Sequence, residues 1–213
     1  MTADKKSPTS IFIFLRHGES TGNAEKRHQG QADFPLTDLG IQQIKQLAAY
    51  LKNSDLKFDQ IISSPLTRAK QSAEIIATTL KSDVEFDPIW MERDNGKLAG
   101  LSFEKAQQIL PPPDFIPLYQ PIAGNGESQW ELFLRAGKAI SKLMKYPPGD
   151  YLIVSHGGLL NMVIRAVLGI TPQPNFQGPS FQFSNTGYTK LEYSPNKNSW
   201  RLLTHNNTSH LDN

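Results

Sequence analysis

The chain has 213 residues, 38% of them hydrophobic, and 22 Lys plus Arg against 20 Asp plus Glu give a formal charge of +2. This composition belongs to a folded protein with a sizeable core rather than a disordered one, and the absence of a basic stripe argues against nucleic acid as a partner. With no cysteine, disulfides, thiolate catalysis and Cys-based zinc sites are excluded.

Residues 1–10 read as a loose polar tail without the apolar stretch of a secretory leader, and no apolar run approaches the roughly 20 residues that span a bilayer. The expectation is a cytoplasmic protein with no membrane partner. Ile11-Phe12-Ile13-Phe14-Leu15 is a continuous apolar run, the pattern of a strand buried on both faces of a parallel sheet. Thr37 or Asp38 caps a helix whose apolar positions are Ile41, Ile44, Leu47, Ala48 and Leu51. Phe58 to Ser63 is a second strand. Ala69, Ala73, Ile76, Ala77 and Leu80 mark the next helix, and Val84 to Phe86 a short third strand.

Residues 88–126 break the rhythm with six prolines, several glycines and one short helical stretch near 102–109. An irregular insertion of this length in a folded domain is expected to act as a lid or binding loop. Helical spacing resumes from Glu127 to Lys145. Tyr151 to Ser155 is a fourth strand and Gly157 to Leu168 an apolar helix. Phe181–Phe183 and Tyr188–Tyr193 read as edge strands meeting at Asn185–Gly187, Trp200–Leu203 as a last strand, and 206–213 as a polar tail. Alternating strands and helices predict a three-layer α/β sandwich with a mainly parallel central sheet flanked by helices, formed by a single domain over 11–205.

Sheets of this type carry chemistry beyond the carboxyl ends of their strands. There the chain places Arg16-His17-Gly18-Glu19-Ser20 after the first strand, Ser63-Ser64-Pro65-Leu66-Thr67-Arg68 after the second, and Ser155-His156-Gly157-Gly158 after the fourth. Two of only 5 histidines thus follow buried strands and precede glycine. Arg16 and Arg68 supply planar guanidinium forks for a phosphate dianion. A helix N-terminus at His156–Gly157 adds N–H donors and a favourable dipole. Neutral imidazole is a nucleophile toward phosphorus, provided its other nitrogen is held as N–H, for which a backbone carbonyl would serve.

Leu15-Arg16-His17-Gly18-Glu19-Ser20 resembles the signature of the histidine phosphatase superfamily, in its phosphoglycerate mutase-like branch. The likeness extends over roughly residues 11–205. It takes in Asn23, Gln29-Gly30 ahead of Asp33-Phe34-Pro35-Leu36-Thr37, the Ser-Pro-x-x-Arg run ending at Arg68, and Ser155-His156-Gly157-Gly158. The resemblance implies that His17 is the phosphorylated nucleophile, with Arg16, Arg68 and His156 gripping the phosphate. Asn23, Gln29, Gly30 and the Gly157 amide belong to the same binding set. Met91 to Gly96 matches the segment holding the proton donor, which makes Glu92 the candidate acid and Asp94 its rival, while Glu19 supports the loop. No cofactor or metal is implied, and the partner is a small phosphomonoester. Oligomeric state is left open, a homo-oligomer included.

Related sugar-acid mutases carry adjacent arginines before a proline run in the insertion. Here Ala106-Gln107-Gln108-Ile109-Leu110 precedes Pro111-Pro112-Pro113, and the insertion offers Phe103, Phe115 and Tyr119, with Trp130 just beyond it. The expected activity is therefore a metal-independent phosphomonoesterase of broad specificity. A cofactor-dependent phosphoglycerate mutase is the alternative. A non-catalytic scaffold, or a metal-dependent hydrolase using His17 and His156 as ligands, are the readings from other classes.

Overall fold

Along the first strand, Phe12 and Phe14 alternate with Ile13 and Leu15, so a single apolar run supplies the cores on both sides of a sheet. The computed structural model describes residues 9–54 and 56–212. The strands are β1 (Ser10–Arg16), β2 (Gln60–Ser63), β3 (Val84–Phe86), β4 (Asp150–Ser155), β5 (Tyr188–Ser194) and β6 (Ser199–Asn207). They form one sheet in the order β3-β2-β4-β1-β5-β6, with β1 to β4 mutually parallel and β5 and β6 antiparallel additions at one side. The helices are α1 (Thr21–Ala24), α2 (Asp38–Lys52), α3 (Thr67–Leu80), α4 (Phe103–Ile109), α5 (Gln129–Leu143) and α6 (Gly157–Leu168). No helix among the described residues is long and apolar enough to cross a membrane.

Helix α2 begins where Thr37 accepts from the Gly40 amide, with Asp38 in its first turn favouring the positive end of the helix dipole. Ile44, Leu47, Ala48 and Leu51 form its buried stripe, which packs with α3 residues Ala69, Ala73 and Ile76 against Ile13, Leu15, Leu152 and Val154. On the opposite face, α5 and α6 bring Leu132, Ala136, Leu160 and Val163 against Phe12, Phe14, Ile62 and Ile153. Helix α5 opens with a reciprocal cap between Ser128 and Glu131. Helices α2 and α3 therefore cover one face and α5 and α6 the other, which is the layered architecture the alternation predicts.

Three local expectations change. Phe181–Phe183 is not a strand, and β5 is not an edge strand: it lies between β1 and β6, pairing with both. Its alternation with Lys190 and Glu192 reads as half-solvated, but β6 adds the second set of backbone partners. The C-terminal segment is not a loose tail, because β6 continues to Asn207 and a turn of 3₁₀ helix over Ser209–Leu211 buries His210 to 2% exposure. Of the expected tail at residues 1–10, residues 1–8 lie outside the described residues, and Ser10 already belongs to β1. The insertion holds α4 and short 3₁₀ turns at Pro88–Trp90, Gly96–Leu98 and Ile122–Gly124.

Phe14 is fully buried at the centre of the sheet, whereas Leu202 on the outer strand remains 39% exposed. Phe14→Ala should therefore destabilise the fold by about 3–5 kcal/mol in urea unfolding, and Leu202→Ala by less than about 1 kcal/mol. Similar losses at the two sites would contradict this placement of the core.

Candidate active site

Parallel register delivers the site. Arg16 is paired with Ser155 and Ser63 with Val154, so β1, β4 and β2 end level with one another. The His17 amide donates to the Ser155 carbonyl at 3.1 Å and the Ser64 amide to the Val154 carbonyl at 3.0 Å. The residues just beyond these strands, His17 and His156, have ring centroids 5.1 Å apart. Arg68 reaches the same edge from the start of α3, with 1% exposure.

The His17 Nδ1 atom lies 2.7 Å from the Gly18 carbonyl. A carbonyl only accepts, so Nδ1 carries the proton and Nε2 keeps its lone pair. Among the described residues nothing hydrogen-bonds to Nε2, and it is not one of the sealed, unpartnered polar atoms. The Gly18 amide in turn donates to Ser72 Oγ, and Ser72 Oγ donates to the Arg68 carbonyl. This side of the loop is thus tied to α3.

Both arginines are oriented by neutral acceptors. Arg16 donates to the Phe183 carbonyl at 2.6 Å, and Arg68 to the carbonyls of Gly30 at 2.7 Å and Ala32 at 3.0 Å. Among the described residues neither guanidinium forms a salt bridge, and both keep a buried Nε without a partner. Burial, the largest cause, lowers both pKa values, that of Arg68 to about 10. The imidazoles respond more strongly. Burial first, then the charges of Arg68 and Arg16, hold His17 well below its ordinary 6.5, against the pull of the Gly18 carbonyl. His156 is held down by burial, then by Arg68, His17 and Arg16.

Glu92 sits at the N-terminus of α6. Its Oε2 accepts from the Gly158 amide at 2.9 Å, and its Oε1 from the Leu159 amide at 3.0 Å and the Arg93 amide at 2.8 Å. The carboxylate thereby occupies helix-end donors that otherwise suit an anion. Gly158 permits this approach, since a Cβ there would lie 2.6 Å from Glu92 Oε1. The Gly157 amide is not among these donors. Arg16, Glu92, Gly157, Gly158 and Phe183 line part of a cavity of about 380 Å³.

The remaining candidates divide. Asn23 uses Oδ1 to accept from Ser20 and Asn185, and Gln29 uses Oε1 to accept from Ser20 Oγ. The amide NH₂ groups of both have no partner among the described residues. Gly30, at φ +50°, acts through its carbonyl on Arg68. Asp94 accepts from the Gly96 amide and serves its own turn. Glu19 accepts from Thr37 Oγ1, which supports the loop as expected. Among the described residues no group of three or more His, Cys, Asp or Glu is arranged to hold a metal ion.

Sequence reading missed several supports. Ser64 Oγ lies 2.7 Å from His156 Nε2, so a phosphate contact through that atom must be shared with the serine. Arg135 forms a two-pronged pair with Glu127 at 2.6 and 2.8 Å and donates to the carbonyls of Ile89, Met91 and Glu92. It thus anchors the segment that carries Glu92. No local pattern marks this pair, because the two residues lie eight apart rather than at the three- or four-residue spacing of helix-surface pairs. A second cavity, about 460 Å³, lies under the insertion, with Phe103, Phe115, Ile116, Phe176, His28 and Arg93 among its lining residues. Tyr119 and Trp130 instead pack on each other at 5.4 Å.

A family model described as histidine phosphatase superfamily (branch 1) matches residues 12–208. A relative from Cronobacter sakazakii named "Probable phosphoglycerate mutase GpmB" is 34% identical over 212 residues, covering 93% of each chain. Phosphoserine phosphatase from Entamoeba histolytica, solved with 3-phosphoglyceric acid, is 28% identical with a TM-score of 0.77, covering 95% of this chain and 99% of that one. Mycobacterial glucosyl-3-phosphoglycerate phosphatase shares the fold at 24% identity and a TM-score of 0.74, covering 93% and 99%.

The two depressed imidazoles have a consequence for stability. On unfolding they regain a pKa near 6.5, so below that value the unfolded chain binds protons that the folded one refuses. Stability should fall as pH drops from about 7 to about 6. Urea titrations should show that slope reduced in His17→Gln and in His156→Gln, and a slope unchanged in both variants would contradict the buried neutral pair.

Proposed function

Because this chain belongs to the histidine phosphatase superfamily (branch 1), we propose that it is a phosphomonoesterase acting through a phosphohistidine on His17, without a metal. The observation that carries this reading is the Nδ1–H bond from His17 to the Gly18 carbonyl, beside two guanidiniums with no carboxylate paired to them. The first supplies a lone pair at Nε2, and the second leaves positive charge for a dianion.

In the first step Nε2 attacks phosphorus as the bond to the leaving oxygen breaks. Arg16 and Arg68 meet the charge on the transferring group, and His156 contributes through Nε2. The free NH₂ groups of Asn23 and Gln29 and the Gly157 amide are the additional donors. Glu92 relays to the departing oxygen the proton that the ester brings as its monoanion. In the second step a water passes a proton to the Glu92 carboxylate and attacks phosphorus. The N–P bond breaks, inorganic phosphate leaves with that proton, and His17 returns neutral with its Nδ1–H still on Gly18. Placement and charge stabilisation supply most of the acceleration.

The leaving group is assigned to the apolar cavity under the insertion. This assignment is supported by the chain order at Glu92 and Arg93, of which the first lines the cavity at Arg16 and the second the apolar one. Walls of Phe103, Phe115, Ile116 and Phe176 accept varied organic groups without demanding a fixed hydrogen-bond pattern, which supports broad specificity.

The mutase alternative has one observation in its favour beyond the relatives' name: Arg93 faces the cavity, stacked over Phe176 at 5.2 Å, and is a cation that a sugar-acid carboxylate would meet. Incubation with 2,3-bisphosphoglycerate and 3-phosphoglycerate separates the two. Steady release of phosphate is expected, and rapid interconversion without release would replace the phosphatase reading.

His17→Ala should lower turnover at least about a thousandfold and abolish acid-labile phosphoprotein. Substantial residual activity would remove His17 from its role. Glu92→Gln should slow alkyl phosphates by about 10²–10⁴-fold while sparing p-nitrophenyl phosphate, whose leaving group needs no proton. Equal losses on both substrates would exclude Glu92 as the acid.

A further inference from the structure

Against the backbone of Arg16 and His17, the chain turns at Asn185–Thr186 in a conformation that a β-branched residue rarely adopts. Thr186 has φ +57°, the left-handed region, where a branched side chain persists only if its surroundings hold it there. Four groups hold it. The Thr186 amide donates to the carbonyls of Arg16 at 3.1 Å and His17 at 3.3 Å. Thr186 Oγ1 donates to the Asn185 carbonyl at 2.7 Å, and His210 Nε2 lies 2.9 Å from the same Oγ1.

The proton positions follow from the acceptors. With the hydroxyl proton of Thr186 on the Asn185 carbonyl, Oγ1 can only accept from His210, so the imidazole proton is on Nε2. The sealed Nδ1 of His210, which has no partner, is then a bare lone pair, a smaller cost than a buried unpaired N–H. The Asn185 side chain continues the chain of contacts. Its Nδ2 donates to the His17 carbonyl and to Asn23 Oδ1, both at 3.2 Å. The Arg16 amide donates to the Gly187 carbonyl at 3.1 Å. Every backbone polar group from the Arg16 amide to the His17 carbonyl is therefore set by β4 or by this turn.

We propose that His210 is a positioning residue for the reaction: by donating to Thr186 Oγ1 it holds the strained Asn185–Thr186 turn in the one conformation that fixes the backbone under His17. His210 lines neither the cavity at Arg16 nor the apolar cavity under the insertion, and no contact of its own reaches His17. It is packed instead between Tyr50 and Tyr188, with each ring centroid 6.3 Å from its own. Its effect reaches the nucleophile through two hydrogen bonds and the peptide of Thr186. Asn185 acts on both His17 and Asn23, so the same turn sets the nucleophile and one phosphate-binding amide together.

This inference rests on His17 being the phosphorylated residue, and the test separates the two. In His210→Ala, kcat for p-nitrophenyl phosphate should fall about tenfold while KM stays within about twofold, as expected for a misplaced nucleophile rather than a lost binding contact. His210→Gln places an amide donor where Nε2–H stands and should recover most of kcat, whereas His210→Asn, whose donor falls short, should not. Rapid-quench measurement of acid-labile phosphate should place the loss in phosphoenzyme formation. An unchanged kcat in His210→Ala, or a loss that glutamine restores no better than asparagine, overturns the positioning role. Wild-type protein that forms no phosphohistidine overturns the reading of His17 and this inference with it. If the alanine variant does not fold, the same comparison is made between Thr186→Val, which lacks the hydroxyl, and Thr186→Ser, which keeps it.

Discussion

Positive charge with no carboxylate bonded to it among the described residues is the constraint on which the site is built. Arg68 is buried and Arg16 partly so, and both are steered by carbonyls, those of Phe183, Gly30 and Ala32. Carbonyl dipoles orient a guanidinium without cancelling its charge, so the field remains available to a guest dianion. Burying such cations is costly unless the fold pins them on all sides. Much of the surrounding chain serves that purpose. The irregular loop at Gly30 bends through a positive φ to aim its carbonyl, and the segment at Phe183 is unpaired as a strand while its carbonyl serves Arg16.

The same field explains the state of the imidazoles. Two buried histidines beside two guanidiniums are held neutral. Neutrality is what a nucleophile requires, so on the proposed reading the groups that would attract phosphate also keep the attacking imidazole ready. Glu92 balances the arrangement from α6. Coulombic attraction to Glu92 opposes the lowering of both arginine pKa values, and the carboxylate accepts from the helix-end amides of Gly158 and Leu159. Arg135, through its pair with Glu127 and its three carbonyl contacts, keeps that carboxylate's segment in place from below.

How much of this was legible depended on whether a residue's role was written locally. The apolar runs 11–15 and 151–155, each followed at once by His and Gly, announce parallel strands and the residues displayed at their ends. Strand burial and strand-end display are both local properties, and layers, strand positions and the four-residue cluster followed from them. Ser64, Arg135 and Gly30 were harder because their partners are distant in sequence, and a serine or a carbonyl has no compositional mark. Strand β5 misled because Lys190 and Glu192 alternate with buried residues as they would on an edge. The stretch beyond His205 misled because its polarity says nothing about the one imidazole, His210, that turns inward beneath α2.

The insertion between β3 and α5 has a different standing from the rest. The groups proposed to face phosphate stand at the ends of core strands and helices: Arg16 ends β1, Arg68 lies in the first turn of α3 and His156 lies between β4 and α6. The apolar cavity is walled mostly by α4, the proline run and the turns that follow, none of which contributes a strand to the sheet. On the proposed reading, reshaping that wall would exchange one organic group for another and leave the bond-breaking residues alone. Such a molecule could change its diet without relearning how to digest.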